Sequence, residues 1–119
     1  MKKVLWISRH TMTEEQLADL ERAIGGRAEL TPWKETVRDV GALAEGIAAA
    51  DVIAAVLPPE LMQELLAAAG GKPVLRAVSG RRATGRVLCL ADGRREEEFA
   101  FVHLYWEEIL SIEIKTRRL

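Results

Sequence analysis

From Val4 to Val78 the chain alternates strand-like apolar runs with stretches of helical spacing, and after Val78 the alternation stops. Strand–helix alternation implies a parallel sheet joined by right-handed crossovers. Its loss implies an antiparallel ending. The expected architecture is therefore α/β. It is a Rossmann-like three-layer fold, with four parallel strands, helices on both faces and a C-terminal antiparallel extension. A chain of 119 residues has room for one domain with a real core, and residues 1–119 are read as that single domain.

Val4-Leu5-Trp6-Ile7 reads as a strand buried on both faces, because apolar residues follow one another without alternation. Ser8 to Met12 is a polar loop, and Thr13 with Gln16 fits a capping box at a helix start. Leu17, Leu20 and Ile24 carry that helix to Gly25-Gly26. Arg27–Trp33 is a weaker second strand, with Pro32 marking an edge or the strand's end. Residues 36–50 return to helical spacing through Val37, Val40, Leu43, Ala44 and Ile47, weakened by Gly41 and Gly46.

Val52–Leu57 is the clearest buried strand. Pro59 suits a first helical turn, and Leu61, Leu65, Leu66 and Ala69 continue a third helix to Gly70-Gly71. Pro73–Val78 is the fourth strand. Arg86–Ala91 and Glu97–Leu104 read as a hairpin turning at Asp92-Gly93. Ile109–Lys115 partly alternates and predicts a last strand with one wet face. Phe101–Leu110 is open between strand and helix.

Composition excludes several classes. A formal charge of −1 supplies no general field for long nucleic acid, so any anion site must be built locally. One cysteine, Cys89, excludes an internal disulfide, and no Cys/His cluster suggests zinc. Lys2-Lys3 and the apolar run after them are too short for a signal peptide, and no stretch has the length of a membrane span. A cytoplasmic protein without cofactor or metal is the expectation. Neither a Gly-x-x-x-x-Gly-Lys loop nor a Gly-x-Gly-x-x-Gly turn is present. Ser8 and His10 have no evident acidic third member for a hydrolase triad.

Parallel strands place their C-terminal ends on one edge, where ligands bind in open α/β sheets. Four polar loops are expected there: Ser8–Met12, Trp33–Glu35, Pro58–Glu60 and Ser79–Gly85. They carry Arg9, His10, Lys34, Arg81 and Arg82, with the hydroxyls of Ser8, Thr11, Ser79 and Thr84. Such a cationic rim on a near-neutral chain suits a phosphodiester. In Ser79–Gly85, Gly80 and Gly85 allow close backbone approach, and two arginines can fork onto phosphate oxygens. The plain alternative is a solvated connection. Histidine is the residue type suited to proton transfer at physiological pH, so His10 is a candidate acid or base; ordering its loop is the alternative. Trp33 offers a stacking face for a nucleobase, or packs in a core or interface.

The opening resembles small stand-alone proteins of type III CRISPR loci, similar to the CRISPR-associated Rossmann fold (CARF) superfamily. The likeness lies in a short apolar strand followed by Ser8, His10, Met12, Thr13 and Gln16. Arg9, between Ser8 and His10, departs from the pattern. Elsewhere only the order of elements supports it. The resemblance implies a homodimer that binds a cyclic oligoadenylate, such as cyclic tetra-adenylate. It also implies a metal-independent ring nuclease, in which a ribose 2′-hydroxyl attacks the neighbouring phosphate. Ser8 and His10 are then the catalytic candidates. Arg9, Thr11, Thr13, Trp33, Lys34, Ser79, Gly80, Arg81, Arg82 and Thr84 are the ligand-binding ones. Three other readings stay open: a sequestering protein for the same ligand, a ligand-free interaction module of a phage or mobile element, and a mononucleotide-binding domain.

Overall fold

A computed structural model describes residues 1–119. The elements are β1 (Lys2–Ile7), α1 (Glu14–Ile24), β2 (Ala28–Trp33), a 3₁₀ turn at Val40–Leu43, α2 (Ala44–Ala49), β3 (Val52–Ala55), α3 (Pro59–Ala69), β4 (Val74–Cys89) and β5 (Arg95–Glu108). All five strands form one mixed sheet in the order β2-β1-β3-β4-β5. β1 runs parallel to β2 and to β3, β3 runs parallel to β4, and β5 returns antiparallel to β4.

Alternating side chains of the central strands feed two cores. Val4 and Trp6 join Val52, Ala54, Leu75 and Trp106 beneath Leu20 of α1. Leu5 and Ile7 join Ile53, Ala55 and Val74 beneath Val40, Leu43, Ile47, Met62 and Leu65 on the other face. This is why Val4–Ile7 has no polar alternation: both faces of β1 are covered. Each fully buried Leu, Ile or Val contributes about 1.5–3 kcal/mol relative to exposure.

Local signals hold at both ends of the helices. Thr13 Oγ1 accepts from Gln16 N–H at 3.1 Å, and Gln16 Oε1 accepts from Thr13 N–H at 2.9 Å, which closes the capping box of α1. Gly25 ends α1 at φ 76°, a left-handed conformation that glycine adopts without strain. Pro32 lies in β2, at the sheet's edge, where its missing N–H breaks no ladder.

Three expectations need correction. The helix over 36–50 is reduced to the 3₁₀ turn and the six residues of α2. Asp39 starts the turn by accepting from Gly41 N–H at 2.9 Å. Gly46 lets α2 lie against β1, since a Cβ there would stand 3.2 Å from Leu5 Cδ1. Second, Ser79–Gly85 is not a loop. β4 runs unbroken from Val74 to Cys89, and β5 supplies its hydrogen-bonding partner, with register shifts at Val78/Ser79 and Ala83/Val87. The hairpin turn does fall around Asp92-Gly93, where Asp92 accepts from Arg94 N–H and Gly93 has φ 85°. Phe101–Glu108 belongs to strand β5.

Third, Ile109–Lys115 forms no strand. Ile109 N–H donates to Val74 O. The tail then packs Ile109 and Ile112 against the α3-side core, and Gln63 Nε2 donates to Ile112 O at 3.3 Å.

Only Val74 and Leu75 of β4 pair with β3. Beyond them β4 and β5 continue as a two-stranded ribbon past the C-terminal edge of the parallel strands. The radius of gyration is 17.6 Å, against about 13.5 Å for a compact chain of this length. At the ribbon's base His103 Nε2–H donates to Asp19 Oδ2 of α1 at 2.8 Å. That bond, and then the one from Arg22, holds the Asp19 carboxyl below its ordinary value of 3.8.

Candidate functional site

The chain leaves β1 for β2 on one side and returns to β3 on the other. Such a reversal leaves a crevice at the C-terminal ends of the two inner strands. A cleft of about 290 Å³ lies there. Ser8, Arg9 and His10 line it from the β1 loop, Glu35 and Thr36 from the β2 loop, and Val56 to Pro58 from the end of β3. Its floor is apolar, with Ile7, Val37 and Leu61.

The β1 loop is shaped by groups that the core holds still. Trp6, buried in the sheet, donates its indole N–H to His10 O at 2.9 Å. Ser8 is 7% exposed; its N–H donates to Trp33 O, and its Oγ accepts from His10 N–H at 3.1 Å. Backbone and indole thus pin the chain on either side of Arg9, and the His10 ring is left at the surface. Arg9 Nη2 donates to Thr36 Oγ1, which ties the β1 loop to the β2 loop across the cleft. Lys34 Nζ lies 3.4 Å from Thr11 Oγ1 just outside it.

The cleft therefore gathers a guanidinium, an imidazole and two hydroxyls over an apolar floor. A guanidinium is chemically able to fork onto an oxyanion, and an imidazole is able to exchange a proton. Glu35 adds a carboxylate that residue-by-residue reading passed over, as it did Thr36. Both lie in or beside the Trp33–Glu35 loop, so topology marks them although neither is cationic.

Other candidates fall elsewhere. Thr13 spends its side chain on the cap of α1. Trp33 packs against the α3-side core, with its indole nitrogen buried and unpartnered. Ser79, Gly80, Arg81, Arg82 and Thr84 stand on the ribbon and do not line the cleft. Arg81 instead lies over the Phe99 ring, 5.1 Å from its centre, and Thr84 Oγ1 donates to Glu98 Oε2 at 3.1 Å. No group of three or more His, Cys, Asp or Glu side chains converges as a metal site would require. No helix is long and apolar enough to cross a membrane. The chain matches no family model, no curated protein and no solved structure.

Proposed function

We propose that the chain is a Rossmann-like, CARF-like protein that binds a cyclic oligoadenylate, with cyclic tetra-adenylate the leading candidate. The observation that carries the reading is the cleft at the reversal point, where Arg9 and His10 sit in a loop fixed by Trp6 and Ser8. At about 290 Å³ the cleft lies just below the range of small-molecule sites, which run from roughly 300 to 1,000 Å³. It suits one nucleotide unit better than a whole ring. The reading therefore requires a homodimer whose two clefts face one ligand.

The chemistry that fits these residues is transesterification without metal. A ribose 2′-oxygen attacks the adjacent phosphorus, the bond from phosphorus to O5′ breaks, and a 2′,3′-cyclic phosphate with a free 5′-hydroxyl results. His10 accepts the 2′-hydroxyl proton, and solvent supplies the proton to O5′. Arg9 and Lys34 hold the phosphate charge. Ser8 acts as a positioning residue through His10 N–H.

The test is a thermal-shift series with cyclic tetra-adenylate, its linear form and AMP, followed by single-turnover cleavage without metal. Ligand at one hundred times its Kd stabilises the fold by about 2.7 kcal/mol. Arg9→Ala weakens binding by about 1.5–3 kcal/mol. His10→Ala keeps binding and slows cleavage by about a hundredfold or more. Binding without cleavage in the wild type replaces the enzyme with a sequestering protein. No shift with any of the three ligands overturns the reading.

A further inference from the structure

The ribbon leaves apolar side chains in water that the fold has no means of covering. Residues 97, 99 and 101 of β5 alternate onto one face with Arg81, Ala83 and Val87 of β4. It is the face that carries His103 at the ribbon's base, continued outward past the start of α1. Phe101 is 82% exposed, Val87 57% and Phe99 47%. An isolated two-stranded ribbon is marginal in water, and an apolar cluster with a polar rim marks a contact surface.

Charge on the same face says what the surface fits. Arg81 lies on the inner side of the phenylalanine pair and Glu97 on the outer side, and neither makes an ion pair within the chain. A two-fold axis through the phenylalanines brings Arg81 of one copy to Glu97 of the other, twice. Such self-complementarity is the mark of an isologous interface. We infer that the β4–β5 ribbon is a self-association arm whose Phe99–Phe101 face packs on the same face of a second copy. The inference deepens the homodimer part of the function proposed above and rests on it for nothing else. β4 runs in the same direction as β1 and β3, so the arm leaves the edge that holds the cleft. Arm pairing runs the two arms antiparallel and consequently turns the cleft-bearing edges of the two copies toward each other.

The test uses sedimentation equilibrium on the full chain without ligand. Wild type is expected to be a dimer at about 50 μM, a concentration that reports micromolar association. Arg81→Glu and Glu97→Arg each place like charges across the axis and weaken the dimer at least about tenfold. An equimolar mixture of the two variants restores both opposite-charge contacts, and a heterodimer returns at wild-type strength. Urea unfolding of each dilute variant, unchanged from wild type, shows that the loss is not misfolding. Phe101→Ser, which alters no charge, weakens all pairings alike. A wild-type monomer at this concentration overturns the inference, as does a mixture that stays monomeric. Thermal shift with cyclic tetra-adenylate is scored separately, so a failed arm is distinguishable from a failed ligand.

Discussion

The parallel half of the sheet and the ribbon that leaves it are made from similar material and stabilised by different means. Both contain valine, leucine and aromatic residues. In β1 and β3 each of these is covered, from one face by α1 and from the other by α2 and α3. On the ribbon Val87, Leu88, Phe99 and Phe101 stand in solvent, and only the β4–β5 ladder orders them. Burial here is a property of the layers, not of the residue type. Where a helix lies over a strand its side chains are core; past the last helix the same side chains are surface.

The largest test of this contrast is a pair of truncations. Leu65→Ala removes a fully buried side chain from beneath α3 and should cost about 2–5 kcal/mol in urea unfolding. Val87→Ala on the ribbon, measured in dilute protein, should stay within about 0.5 kcal/mol of wild type. Equal losses at the two positions would break the comparison and show that the ribbon folds against something.

A smaller effect is expected where the parallel half secures the start of a helix. Thr13→Ala removes one side of the capping box and leaves Gln16 N–H without its acceptor, at a cost of about 1 kcal/mol. If Thr13 served a ligand instead, the variant would keep its stability and lose affinity.

The smallest effect should sharpen the boundary between the regions, at the Asp19–His103 bond. The folded Asp19 pKa lies below the unfolded one, so its contribution is present above 3.8 and fades as pH falls through the folded value. Asp19→Asn should therefore be less stable than wild type near neutrality, by less than the loss of the cap. The two unfolding curves should converge in acid below 3.8. Curves that stay parallel to the acid end would assign the loss to packing and not to charge.

Much of the parallel half was legible in the sequence because its information is local. Val4–Ile7 and Val52–Leu57 have no polar alternation, and they do lie parallel in one sheet, although the second strand ends at Ala55 and leaves Val56 exposed. Thr13, Gln16, Gly25 and Gly70 mark helix ends that are found where those residues stand. The outer hairpin is legible from its Asp92-Gly93 turn, whereas the strand character of Ser79–Gly85 is not, because it depends on a partner some twenty residues away. Gly80 and Gly85 look like loop residues. Gly80 is instead the seat of Leu104, whose Cδ1 would lie 2.8 Å from a Cβ. That contact arises only when the hairpin closes. The split of residues 36–50 was equally hidden, since Gly46 answers to Leu5 across the layers. For the site, topology located the β1, β2 and β3 loops correctly. The Ser79–Gly85 arginines do not join them, because that segment is strand and not a fourth loop.

Trp6 and Trp106 meet edge to face, with ring centres 5.8 Å apart and planes at 75°. One indole N–H ends on His10 O, the other on Gln16 O, on either side of the start of α1. The protein thus carries its own optical gauge of the loop beside the cleft. Two chromophores this close and this oblique couple their transitions, and the near-ultraviolet dichroism of the pair depends on both backbone anchors. A loop that shifts on binding changes that signal without any label, while Trp33 packs on the opposite core.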